Sequence, residues 1–146
     1  MREKLASMPM LEGIDETLKE KAIDGILGIS EEFILESGKP LFAPDGESKH
    51  NMYLLLSGRL TVQNKETGNT ISREMLVPSN KVNVVGEIAW SLKSKRTADL
   101  VARGNAQLLR IDGARLDEYL AENTDIGYPF MRNMAILLAQ RMCGMR

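Results

Sequence analysis

The chain has 146 residues, of which 27% are charged, and its 19 Lys and Arg nearly balance its 20 Asp and Glu to leave a net charge of −1. That length suits one domain able to bury roughly two thirds of its unfolded surface, and the near balance excludes a global basic field that would recruit nucleic acid. One cysteine, Cys143, excludes an internal disulfide, and one histidine, His50, leaves too few ligands for a multi-histidine metal site and no basis for a Ser-His-Asp or Cys-His catalytic arrangement.

In chain order, the first predicted element is an amphipathic helix from Asp15 to Leu27. Leu18, Ala22, Ile23, Ile26 and Leu27 recur there at helical spacing behind an acidic first turn, and Gly28 offers a stop. From Phe33 to about Ile111 the pattern changes to short apolar runs. They are punctuated by Gly38-Lys39-Pro40, Pro44-Asp45-Gly46, Ser57-Gly58, Thr67-Gly68-Asn69, Pro78-Ser79-Asn80 and Arg103-Gly104-Asn105. Such punctuation predicts a compact β-barrel or jelly roll. Helical spacing returns from Ala114 to Ala121 and again from Pro129, read as a helix-starting residue, through Phe130, Met134, Leu137 and Leu138 towards Met145. The expected fold class is therefore mainly β with flanking α-helices, in a single domain spanning 1–146. Residues 1–30 form its N-terminal helical segment, 31–112 the barrel and 113–146 the C-terminal helices.

The longest strongly apolar run, Ala135 to Ala139, is far short of the ~20 residues that span a bilayer, and the N-terminus lacks a signal-type apolar core. The expectation is a cytoplasmic protein with no membrane partner. Trp90 is expected to pack, Cys143 to be a small packing side chain, and His50 to lie in a surface loop. Met131, Met134, Met142 and Met145 join Phe130, Leu137 and Leu138 in a stripe that reads either as core or as a surface that repacks against partners.

The sharpest chemical signal is Gly86-Glu87-Ile88-Ala89 followed by Arg96-Thr97-Ala98, which puts a glycine turn, a carboxylate and a guanidinium within eleven residues. Successive N–H groups after Gly86 could form an anion-binding nest. Arg96 offers a planar fork for phosphate oxygens. Glu87 is acceptor-only when ionised and repels phosphate, so it suits a sugar hydroxyl. A phosphate and a ribose on one small molecule would satisfy both ends.

These residues resemble the phosphate-binding cassette of cyclic-nucleotide-binding domains, as found in catabolite-activator-type regulators, cyclic-nucleotide-dependent protein kinases and gated channels. The cassette reads Gly-Glu-(Leu/Ile)-Ala, six variable residues, then Arg-(Ala/Thr/Ser)-Ala, and Glu87 and Arg96 keep that spacing. Ser7 to Ile14 resembles the start of the family's first helix, Pro44 to Glu47 and Tyr53 to Leu60 its early strands, and Arg115 to Asn123 the helix after the barrel. The resemblance implies a double-stranded β-helix, or jelly-roll, barrel and a regulatory sensor without catalytic chemistry. Its ligand would be cyclic AMP or cyclic GMP, with no other cofactor and no metal. Glu87 would accept from the ribose 2′-hydroxyl, Arg96 would pair with the cyclic phosphate, main-chain N–H groups around Gly86, Ile88 and Ala89 would complete the anion site, and Thr97 and Ala98 would line it. Phe130 to Arg146 would be a lid that closes towards the cassette, or a helix that forms a homodimer. Because the chain ends at Arg146, no helix-turn-helix DNA-binding module is expected in it, and output would pass to an effector protein or chain.

Three positions depart from the family pattern. Pro78 is followed by a longer path to Gly86, Lys95 stands where Pro is common, and Asp99 stands where Thr or Ser is usual. In a regular strand Asp99 shares a face with Thr97 and opposes anion binding there. These residues carry an alternative reading, a protein-interaction domain of the same fold whose degenerate pocket no longer binds cyclic nucleotides.

Overall fold

Strands β2 (Met52–Ser57) and β7 (Ala106–Ile111) organise the molecule because their side chains are apolar on both faces. Met52, Leu54, Leu56, Leu109 and Ile111 point to one side, whereas Tyr53, Leu55, Ala106 and Leu108 point to the other. A strand covered on both faces needs apolar residues at successive positions, and the run Met52 to Leu56 supplies them. The computed structural model describes residues 1–41, 50–64, 75–76, 83–87, 90 and 98–144.

Among the described residues the other strands are β1 (Ser30–Leu35), β3 (Arg59–Asn64), β4 (Met75–Leu76), β5 (Asn83–Val85) and β6 (Ala98–Ala102). They form a four-stranded sheet in the order β1-β7-β2-β5 and a three-stranded sheet in the order β4-β3-β6, with every pairing antiparallel. The expected jelly-roll architecture is therefore the observed one. Ser57 and Gly58 make the corner where the chain leaves the first sheet for the second. Gly58 has φ +101°, and a Cβ there would lie 2.8 Å from the Ala106 Cα, so both backbone angle and space call for glycine. The turns expected at 44–46, 67–69 and 78–80 lie outside the described residues.

The two faces of the larger sheet build two cores. Between the sheets lie Leu41, Tyr53, Leu55, Leu60, Val85, Leu100 and Leu108. On the outer face the sheet meets helices: α1 (Arg2–Ala6), a 3-10 turn (Pro9–Leu11), α2 (Glu16–Gly28), α3 (Gly113–Glu122) and α4 (Thr124–Met142). Helix α2 begins and ends within one residue of the predicted span and turns Ala22, Ile23 and Ile26 inward. Helix α3 is capped by Asp112, whose carboxylate accepts from the Arg115 N–H at 3.1 Å. Among the described residues no helix is long and apolar enough to cross a membrane.

Two expectations about the C-terminal helix need correction. Helix α4 starts at Thr124, five residues before Pro129, which lies inside it. The carbonyl of Asn123 accepts from the N–H groups of Ile126 and Gly127 at 2.9 and 2.8 Å, so the first turn closes upstream and the proline omits one later ladder bond. Cys143 is exposed where α4 ends and is not a packing residue. The buried stripe runs Ile126, Phe130, Met134, Leu137, and position 143 falls off it. The methionine stripe itself divides: Met134 is buried, whereas Met131 and Met142 are exposed.

Candidate functional site

The candidate site begins where β5 ends. Val84 and Val85 are buried on opposite faces of the larger sheet, and β5 is held to β2 through the pairs Tyr53–Val85, Leu54–Val84 and Leu55–Asn83. Gly86 follows with φ +78°, a left-handed angle that turns the chain out of the strand, as expected of this glycine. Its carbonyl accepts from the Trp90 N–H at 3.1 Å, closing a helical turn that starts at Glu87.

Glu87 is only 4% exposed, an uncommon environment for a carboxylate. Its Oε1 accepts from Arg141 Nη1, and Arg141 Nη2 donates to the Val84 carbonyl at 2.9 Å. One guanidinium on the last turn of α4 thus grips both the site carboxylate and the backbone of the strand that delivers it. Leaving such a carboxylate without its cation would cost about 3–5 kcal/mol, so the pair helps to hold the last turn of α4 against β5.

The turn is fixed from below by Trp90. The indole is 2% exposed, donates from Nε1 to the Gly113 carbonyl at 3.2 Å, and meets Phe130 of α4 edge to face with ring centroids 6.4 Å apart. Gly113 N–H in turn donates to Asn51 Oδ1 at 2.9 Å. The expected packing role of Trp90 agrees with this environment. His50, half-buried in the loop just before β2, has its carbonyl packed against Gly113.

Of the residues named from sequence, Gly86 and Glu87 sit together at the end of β5, and Ala98 opens β6 opposite Asn64 of β3. Ile88, Ala89, Arg96 and Thr97 lie outside the described residues. Arg141 is the residue the sequence reading missed. A signal for it existed: Arg141 continues the buried stripe of α4 four residues after Leu137, and a charge at such a position needs a buried partner.

A family profile described as "Cyclic nucleotide-binding domain" matches residues 32–123. The chain belongs to the cyclic nucleotide-binding domain family. It is 33% identical over 99 residues to the mouse (Mus musculus) cyclic nucleotide-gated channel beta-3, a match covering 66% of this chain and 14% of that protein. Among solved structures it is similar to the N-terminal domain of a transcriptional regulator from Streptomyces coelicolor A3(2), with TM-score 0.71 and 20% identity over 99% of this chain and 96% of that one. The catabolite activator protein of Thermus thermophilus superposes with TM-score 0.67 at 21% identity, covering 94% of this chain and 59% of that one. The fold is common to all of these structures.

Proposed function

We propose that this chain is a regulatory domain that senses a cyclic nucleotide, cyclic AMP or cyclic GMP, and passes the signal to a partner protein or chain without catalysing a reaction. The observation that carries this reading is the buried Glu87 carboxylate, set on a left-handed glycine turn at the end of β5 in a chain of the cyclic nucleotide-binding family. An acceptor-only group in that position suits the ribose 2′-hydroxyl. Arg96 would take the cyclic phosphate through its planar fork, while the N–H groups near Gly86, Ile88 and Ala89 complete the anion site and Thr97 and Ala98 line it. The whole chain acts as one domain in this reading, and its setting is the cytoplasm.

A second reading, an interaction domain with a degenerate pocket, is favoured by the outer face of α4. Tyr128, Met131, Ala135 and Met142 lie along that face, and Tyr128 and Met142 are 71% and 89% exposed. That stripe suits a partner helix or a second copy of the chain, and Asp99 weakens the anion site in this reading.

Thermal melting of ligand-stripped protein separates the two. A ligand at ~100 times its Kd stabilises the native state by roughly 2.7 kcal/mol, so cyclic AMP or cyclic GMP should raise the melting temperature. No shift with either nucleotide at millimolar concentration would transfer the case to the interaction domain.

A further inference from the structure

Where α3 gives way to α4, the two helices and Trp90 enclose an open cleft of about 490 Å³. Its walls are mainly apolar, built by Trp90, Leu120, Ala121, Gly127, Tyr128 and Met131, and the Asp117 carboxylate also lines it. We propose that this cleft docks a basic amphipathic segment of a partner protein, which seats an apolar side chain between α3 and α4 and sets lysines or arginines against the surrounding carboxylates. Such a segment gives the partner of the proposed function its chemistry. It rests on that reading for the partner and not for nucleotide binding, because Glu87 lines no part of the cleft.

A cleft binds well when its shape is set beforehand, and the helix junction sets this one. At Gly127 the helices approach so closely that a Cβ would stand 2.3 Å from the Leu120 carbonyl oxygen. Asn123 ties the turn between them: its carbonyl accepts from the Gly127 N–H at 2.8 Å, and its Nδ2 donates to the Tyr119 carbonyl at 2.9 Å. Leu120 and Trp90 are buried, whereas Tyr128 and Met131 stay open to solvent. An exposed aromatic ring and a thioether that repacks readily are side chains enriched at protein interfaces.

The charges of this segment have one sign. Residues 116–131 contain Asp117, Glu118, Glu122 and Asp125 but no lysine or arginine, a charge of −4 within a chain whose net charge is −1. All four carboxylates are exposed, and Glu118, Glu122 and Asp125 make no ion pair with a described residue. The nearest cations along the chain are Arg115 and Arg132, one on each side. This placement works against the fold. Glu118 and Glu122 stand four apart on α3 and repel. Glu122 also ends that helix, at the negative pole of its dipole, and the last turn has no basic residue. Local choices that oppose stability mark a functional surface, and a cationic segment would relieve both. Its lysine or arginine stems would cover apolar wall while their heads met the carboxylates. A second copy of this chain is a poorer occupant, because a symmetric contact would bring the same four carboxylates to the same cleft.

Calorimetric titration of the full chain, without nucleotide, with a synthetic amphipathic helix of leucine and lysine tests this. A scrambled peptide of the same composition and a leucine-glutamate peptide of the original pattern serve as comparisons. Wild type should bind the leucine-lysine helix saturably, one per chain and more weakly as salt is raised, and should bind neither comparison measurably. The double variant Glu118→Gln, Glu122→Gln should bind about threefold to tenfold more weakly, the worth of two exposed ion pairs expressed as affinity, while melting at or above the wild-type temperature. The double variant Tyr128→Ser, Met131→Ser should bind about tenfold more weakly. A control pair, Glu3→Gln with Glu36→Gln, removes the same charge from exposed positions outside the cleft and should bind as wild type does. Absence of binding in wild type overturns the proposal. So does unchanged affinity in either cleft variant, equal weakening in the control, or equal binding of the scrambled peptide. Sedimentation of wild type alone completes the test: a dimer that Tyr128→Ser, Met131→Ser dissociates would give the cleft to a second copy and overturn the proposal as well. Because no nucleotide is present, a flat nucleotide titration leaves a positive result here standing, and failure here leaves the nucleotide test untouched.

Discussion

Replacing Phe130 with alanine should loosen α4 from the cassette and be visible from the cassette side. Phe130 has no exposed surface, and its ring meets Trp90 at an interplanar angle of 77°. Truncating a fully buried phenylalanine costs about 3–5 kcal/mol, of which the edge-to-face pair contributes about 0.5–1.5 kcal/mol. For a domain of this size each kcal/mol moves the melting temperature by about 2–4 °C, so a loss near 4 kcal/mol predicts a fall of about 8–16 °C. Trp90 is the only tryptophan of the chain, which makes its fluorescence a report from this one junction. Phe130→Ala should shift the emission to the red and increase quenching by acrylamide under native conditions. Urea unfolding of Phe130→Ala, Trp90→Phe and the double variant, followed by circular dichroism, should return a coupling of about 0.5–1.5 kcal/mol. A stability loss below about 1 kcal/mol, the average for any substitution, together with unchanged emission would refute the packing argument.

Other substitutions probe separate parts of the account. Arg96→Lys should weaken nucleotide binding by about 1.5–3 kcal/mol while leaving the fold intact; equal affinities would mean that Arg96 does not pair with the phosphate. Gly113→Ala would place a Cβ 2.1 Å from the His50 carbonyl oxygen and 3.0 Å from Trp90 Cδ1. It should cost about 1–3 kcal/mol or more in thermal melts and disturb Trp90 emission, whereas wild-type stability would mean that the 50–51 segment yields freely. Burial, then the charges of Asp125 and Asp24, raise the Tyr119 hydroxyl above its ordinary pKa. A raised folded pKa means a stability contribution fully present below the unfolded phenol's value of about 10 and lost as pH climbs through the folded value. Wild type should therefore lose stability more steeply than Tyr119→Phe above about pH 10, and parallel profiles would contradict this.

The fold was legible because its signals are local. Among the described residues Ser57-Gly58 and Arg103-Gly104-Asn105 mark strand ends, and the spacing of Leu18, Ala22, Ile23 and Ile26 marks α2 within one residue. What escaped depends on tertiary partners. Pro129 resembles a helix start in sequence, yet Asn123 closes the first turn six residues earlier, and only the following packing decides which signal prevails. Cys143 and Met142 are apolar in composition, but the rotation of α4 about its buried stripe leaves both exposed. At the site, the spacing of Glu87 and Arg96 is a sequence property, so the candidate could be named at once. The pairing of Glu87 with Arg141 spans 54 positions and needs the helix to fold back over β5 before it exists.

The central claim is that Glu87 belongs to a working cyclic-nucleotide site, and isothermal titration of ligand-stripped wild type with cyclic AMP and cyclic GMP tests it most directly. The account predicts saturable heat at one nucleotide per chain for at least one of the two, lost or strongly weakened in Glu87→Gln. Absence of heat for both at millimolar concentration, in protein that melts cooperatively, would contradict it.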